Sequence, residues 1–220
     1  MVARIKNISA GISLSAVLLG ILAFTGSPAA GAILVPGTPV STPGTVTLAG
    51  LDPVYSELVP FVSDNGGFGG TLISSVYSDP STGGMDFTYQ IEAATGYTDS
   101  IHSVSVDFYF GYSTNLDYVS GSGVVTYDSA VLSLAGPGDY ITLDYSTAGI
   151  APGDTSDTIV VKTNATQYDQ EGDTAFIDGG GVTVNSLEPA GPVVVPEPMS
   201  LGLLAAGGVI CAARRSRRPI

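Results

Sequence analysis

Between Leu51 and Ala190, apolar and polar residues alternate in short runs broken by clusters of Gly, Pro, Asp and Ser. In "MDFTYQIEA", Met85, Phe87, Tyr89 and Ile91 take one phase, while Asp86, Thr88, Gln90 and Glu92 take the other. In "HSVSVDFYF", His102, Val104, Val106, Phe108 and Phe110 share a face opposite Ser103, Ser105, Asp107 and Tyr109. "YITLDYS" groups Ile141, Leu143 and Tyr145. Such a period of two predicts half-buried strands. Further strands are expected in "TLISSVYS", "GVVTYD", "AVLSLA", "DTIVVKTNA" and "GVTVNSL". The stretches "SDNGGFGG", "DPSTGG", "AGPGD" and "IAPGDTSD" supply turns, because Gly accepts positive φ and Pro fixes φ; Asn65-Gly66 is a strong turn dipeptide. No part of this region sustains a 3.6-residue apolar period with a cap. Short strands without helical crossovers predict an all-β fold, an antiparallel β-sandwich over 51–190, with a closed barrel as the alternative.

The two ends follow different patterns. Arg4 and Lys6 precede an uncharged run from Ile8 to Phe24, and the small residues of "TGSPAAGA" follow. This order predicts a secretory signal peptide over 1–32. Ala30-Gly31-Ala32 has the A-x-A shape that signal peptidase accepts, so cleavage is expected before Ile33, with cleavage after Ala29 as the alternative. Residues 33–50, rich in Pro and Gly, predict an extended leader that enters a first strand near Thr45.

Charge sharpens this division. From Ile33 to Val195 there are nineteen Asp and Glu against one basic residue, Lys162. Nucleic-acid binding is not expected of such a surface, since it needs basic groups that displace counterions; docking on anionic lipid is disfavoured for the same reason. Solubility and association with cations are favoured instead. Numerous aromatic and β-branched residues provide a core, which distinguishes the segment from acidic disordered chains. Cys211 is the only cysteine and lies in the C-terminal apolar run, so the body holds no disulfide and no cysteine nucleophile or ligand.

After a Pro-rich linker over 191–198, residues 199–213 read "MSLGLLAAGGVICAA", fifteen positions without a charge. As a helix this run rises about 22 Å, short of the roughly 30 Å hydrocarbon core. Arg214, Arg215, Arg217 and Arg218 follow within the last seven residues, 214–220. An arginine cluster beside an apolar run fixes that end in the cytoplasm, and the side chains can snorkel to extend a short span. With Arg4 and Lys6 also cytoplasmic, the body is expected outside. Pro196, Glu197 and Pro198 stand before the run, and the prolines hold that segment extended.

The stretch "VPEPMSLGLLAAGGVICAARRSRR" resembles a PEP-CTERM sorting signal in its Pro-Glu-Pro motif, glycine-containing short transmembrane run and arginine cluster. The resemblance covers about the last two dozen residues. It implies a bacterial envelope or extracellular protein whose tail is read at Pro196, Glu197 and Pro198 by an exosortase and removed during sorting. It also implies an association with exopolysaccharide and biofilm. The same tail is described as an ice-binding protein C-terminal domain, a label that says nothing about the body. Less specifically, "GIAPGDTSDTIVVKTNATQY" and "IDGGGVTVNSLEP" resemble closing strands of the β-rich domains that precede such tails.

Catalytic groups are sparse. His102 is the only histidine and lies in phase with Val104 and Val106. No serine occupies a G-x-S-x-G turn, and a glycosidase pair of carboxylates cannot be selected among nineteen candidates. No enzyme activity and no obligate cofactor are expected. "YDQEGDTAFIDGGG" gathers Asp169, Glu171, Asp173 and Asp178, oxygen ligands of the kind Ca²⁺ prefers, without the EF-hand glycine position. Asp154 and Asp157 could join if the loops converge. A carbohydrate-binding module is the other alternative, with Tyr109, Tyr112 and Tyr118 as the expected exposed aromatics. "NAT" at Asn164 matches the N-glycosylation pattern, although the tail points to a bacterial source and no modification is expected there.

Overall fold

The computed structural model describes residues 31–41, 44–49, 51–107, 109, 111–133 and 140–190. They form an all-β arrangement of twelve strands in two sheets, with no helix among the described residues. The strands are β1 (Ala32–Ile33), β2 (Gly44–Thr45), β3 (Tyr55–Val62), β4 (Gly69–Ser78), β5 (Met85–Ala93), β6 (Ser103–Val106), β7 (Thr114–Val119), β8 (Ser129–Leu132), β9 (Ile141–Asp144), β10 (Thr158–Thr163), β11 (Gln167–Asp178) and β12 (Gly180–Ala190). The first sheet runs β1-β7-β10-β5-β4-β3, with β2 also on β7; the second runs β12-β11-β6-β9-β8. Every strand pair is antiparallel except β2 on β7.

The clearest alternation in the sequence marks its strand to the residue: β5 is Met85–Ala93, and Phe87, Tyr89 and Ile91 are buried. Val104 and Val106 of β6, and Ile141 and Leu143 of β9, are likewise interior. Phe108 and Phe110 lie outside the described residues. One expected strand is corrected. "GVVTYD" forms no ladder; only Val125 bridges, to Ser156. Val124 is exposed, and the Thr126 hydroxyl and the Gly123 N–H both donate to the Asp157 carboxylate, which ties the segment down as a turn. Four strands, β1, β3, β7 and β11, have no counterpart in the sequence reading. Pro60 interrupts the apolar pattern of β3, and the sheet accommodates it because β3 is an edge strand, where a missing N–H costs no ladder bond.

Side chains from both sheets meet in one core. Phe61 of β3 stacks on Phe176 of β11 at 4.0 Å between ring centroids. The Tyr89 hydroxyl on β5 donates to the Leu187 carbonyl on β12 at 2.6 Å. With its proton committed there, Tyr89 accepts from the Tyr109 hydroxyl, also at 2.6 Å. The two phenols thereby satisfy each other in an interior where an unpaired hydroxyl would be costly.

Described residues between 33 and 49 form a strap that bonds to both sheets. The Leu34 N–H donates to Thr114 O on β7, the Gly37 N–H to Leu132 O on β8, and Val40 exchanges both bonds with Ala130 on β8. The chain then returns to β7, where the Val46 N–H donates to Tyr118 O. The strap thus pairs the side of β7 away from β10 and covers free backbone groups of the edge strand β8. Ala32 is the first residue of β1, opposite Leu116; Ala30 lies outside the described residues. So do Pro196, Glu197, Pro198 and the arginines Arg214, Arg215, Arg217 and Arg218. No helix among the described residues is long and apolar enough to cross a membrane.

Candidate functional site

The calcium candidates fall on a strand rather than a loop. Asp169, Glu171, Asp173 and Asp178 all belong to β11, and alternate residues of a strand stand about 6.8 Å apart. The strand is not regular. Asp169 faces Glu188 of β12 and Gly172 faces Ser186, so β11 carries one extra residue between these pairs, a β-bulge. Gly172 lets the two strands close here: a Cβ at this position would stand 2.7 Å from the Glu188 Cβ.

The bulge creates a pair of carboxyl groups. Glu188 is only 8% exposed, and its Oε2 has no hydrogen-bond partner. Desolvation, a hydrogen bond to the Asp169 carboxyl, and the charges of Asp169, Glu171 and Asp173 push its carboxyl up to about 8. Nearby, burial and then the charge of Asp173 raise Asp107, whose N–H donates to Asp173 O at 2.9 Å. This corner therefore concentrates negative charge around a buried acid, an arrangement that retains a proton or attracts a cation. Among the described residues, no three His, Cys, Asp or Glu side chains converge closely enough to hold a metal ion. Asp178 stands apart at the other end of β11, where it pairs with His102 Nδ1 at 3.3 Å. Asp157 is committed to Gly123 and Thr126.

Glu188 was not singled out by sequence reasoning. Its signal is its phase: Val182, Val184, Ser186 and Glu188 alternate onto one side of β12, so a carboxylate sits where the pattern calls for a small or apolar residue.

The aromatic expectation is corrected at Tyr109. It is 1% exposed, bonded to Tyr89 and edge-on to Phe87 at 6.1 Å. Regular pleating ends with β6 at Val106, so the alternation counted from Val104 no longer sets the direction of residue 109. Tyr112 and Tyr118 are half-buried and packed against the core. The aromatic pair beside the acidic corner is instead Tyr55 and Tyr168, stacked at 5.9 Å, with the Tyr55 hydroxyl donating to Gln170 Oε1 at 3.4 Å.

A second group of charges lies on the first sheet. Lys162 of β10 is opposite Asp86 of β5, and its Nζ is 2.7 Å from Asp117 Oδ2 on β7. Asp117 is fully buried and Asp86 is 6% exposed. Burial, opposed in part by Lys162 but assisted by Asp79 and Asp117, raises the Asp86 carboxyl to about 6. A cavity of about 250 Å³ adjoins Lys162, lined by Asp79, Ser113, Asn115 and Asn164 among others. Asn164 Oδ1 accepts from the Ser113 N–H at 3.0 Å. A groove of about 380 Å³ runs between the strap at Thr47–Ala49 and Ile73, Tyr77, Gln90 and Thr158 of the same sheet. Comparison of the chain with protein-family models, with curated proteins and with solved structures returned no match.

Proposed function

We propose that this chain is an exported bacterial envelope or extracellular protein, sorted through a PEP-CTERM-like tail. Its body is a non-catalytic structural component of an exopolysaccharide or biofilm matrix. The observation that carries the reading is the ordered C-terminal triad: Pro196-Glu197-Pro198, fifteen uncharged residues, then four arginines. The body is compatible with that destination. Its one-sided acidity keeps copies apart and favours hydrated, cation-rich surroundings, and its shared core is read as two sheets facing each other in a sandwich. Signal peptidase and an exosortase are the partners during export, with the 199–213 helix as the membrane intermediate. Replacing Pro196, Glu197 and Pro198 together by alanine tests the sorting step. The protein is expected to accumulate in the inner-membrane fraction of an exosortase-bearing host; an unchanged distribution would contradict the reading.

The second reading, a cell-surface binding module for calcium or carbohydrate, is favoured by the Asp169–Glu188 pair beside stacked Tyr55 and Tyr168. Two carboxylates would supply part of a Ca²⁺ shell, with water or sugar hydroxyls completing it. Millimolar Ca²⁺ is then expected to raise Tm more at pH 8.5 than at pH 5.5, because the cation competes with the Glu188 proton. No shift at either pH would remove the calcium form of this reading.

A further inference from the structure

Beyond β2 the strap leads across the first sheet. The Val46 N–H donates to Tyr118 O on β7, and the Val54 N–H donates to Val76 O on β4. These attachments lie toward opposite sides of the order β7-β10-β5-β4-β3, so residues 46–49 and 51–54 carry the chain over the strands between. The side chains met on the way, Ile73, Gln90 and Thr158 among them, are out of phase with the buried Leu72, Tyr89 and Ile159. The crossing therefore runs over the face turned away from the core. Two internal bonds hold its shape: the Ala49 N–H donates to Thr47 Oγ1 at 3.2 Å, and the Leu51 N–H to Leu48 O at 3.0 Å.

The groove of about 380 Å³ between this crossing and the sheet falls within the roughly 300–1,000 Å³ of small-ligand sites. Its floor is a straight row. Ile73 pairs with Gln90 across β4 and β5, the β5–β10 register carries Gln90 to Thr158, and Thr158 pairs with Val119 on β7. Leu58 of β3 pairs with Ile73 and extends the row, exposed. At about 4.8 Å per strand, the row from Leu58 to Val119 is about 19 Å long.

Apolar and polar side chains share this row, and the polar ones keep capacity to spare. Gln90 Nε2 donates to Ser122 O at 3.0 Å and to Ser156 O at 3.1 Å. The amide is thereby pinned, with Oε1 left as an acceptor. The Thr158 hydroxyl makes no hydrogen bond among the described residues. None of the described residues that line the groove is charged, on a body with nineteen acids and one base between Ile33 and Val195.

These features select the occupant. A polyanion is repelled by the surrounding carboxylates, and a cation meets no counter-charge in the groove. An extended peptide finds no ladder to join, because β4, β5 and β10 are each paired on both sides. A neutral sugar chain matches the row: its C–H faces suit Leu58, Ile73 and Val119, and its hydroxyls both donate and accept, as Gln90 Oε1 and the Thr158 hydroxyl require. We infer that this groove binds a neutral polysaccharide, laid across the strands of the first sheet along the row from Leu58 to Val119. The inference rests on the polysaccharide setting proposed above and adds the contact, on the opposite face of the sheet from Tyr55.

The test uses the protein recovered from an exosortase-bearing host, run in native gels that contain dextran, laminarin or galactomannan, each neutral, or alginate, a polyanion. The expected result is retardation by at least one neutral polymer and none by alginate. Thr158→Trp fills the middle of the row and should weaken that binding at least about tenfold, with Tm unchanged. Thr47→Trp narrows the groove from the exposed strap and should act alike, so one variant decides where the other fails to fold; should neither fold, the unaltered protein decides alone. Retardation that persists in the folded variants overturns this site. If it is lost instead in Tyr168→Ala, the carbohydrate reading stands and moves to the acidic corner. No retardation by any neutral polymer, or retardation by alginate alone, overturns the inference and leaves the sorting reading to be judged on the mature C-terminus.

Discussion

At the residue scale, the most consequential side chain is Glu188. A carboxyl whose folded value is raised to about 8, against about 4.3 in an unfolded chain, binds its proton more tightly in the folded state. Between those values the folded protein keeps a proton that the unfolded chain releases. The associated stability is therefore fully present at low pH and is lost as pH rises toward 8. Asp86, raised to about 6, acts with the same sign over a narrower window. Melting is thus expected to occur at a lower temperature at pH 8.5 than at pH 5.5. Glu188→Gln keeps the shape, carries no charge and can donate to Asp169. It should raise Tm at pH 8.5 by about 3 °C and flatten the slope; thermal scans of both proteins across this range would check it. A variant less stable than the parent at pH 8.5 would show that the ionised Glu188 is needed.

At the element scale, legibility from sequence followed the regularity of the pleat. β5 could be read because each of its residues obeys one alternation and its inward side chains are large. β3 escaped because Pro60 breaks the pattern, and that break is harmless only on an edge, which is a property of the sheet and not of the segment. The bulge escaped for a related reason. An extra residue in β11 shifts the phase between Asp169 and Gly172, so counting by twos cannot align the carboxylates on either side of it. Tyr109 went astray once the pleat of β6 had ended. The acidic character of the corner was visible in the composition of 167–178, but the partner that focuses it, Glu188, comes from another strand.

The strap is the element whose role was least apparent. A run rich in Pro and Gly reads as a leader, yet its backbone donates to both β7 and β8. Val40→Pro removes the N–H that meets Ala130 O at 2.8 Å and leaves that edge of β8 exposed. The expected cost is about 1–3 kcal/mol, a Tm fall of several degrees, with greater aggregation on heating because an open edge can pair with another copy. Val40→Ala, which retains the N–H, should cost clearly less. Equal effects from the two variants would mean that the strap acts through side-chain contact alone.

At the scale of the whole molecule, the distribution of charge organises the account. Basic residues lie in the two terminal segments, with the single exception of Lys162, which the fold commits to Asp117. The exposed body is therefore acidic almost without relief, a charge that favours solubility and keeps copies apart. The proposed path takes such a body across the membrane between two positively flanked apolar runs and frees it by cutting at both ends. The intact mass of the protein recovered from an exosortase-bearing host, and from the same host lacking that enzyme, tests this most directly. The account predicts a mature chain missing residues 199–220 in the first host and a longer one, still ending at Ile220, in the second; a chain ending at Ile220 in both would contradict it.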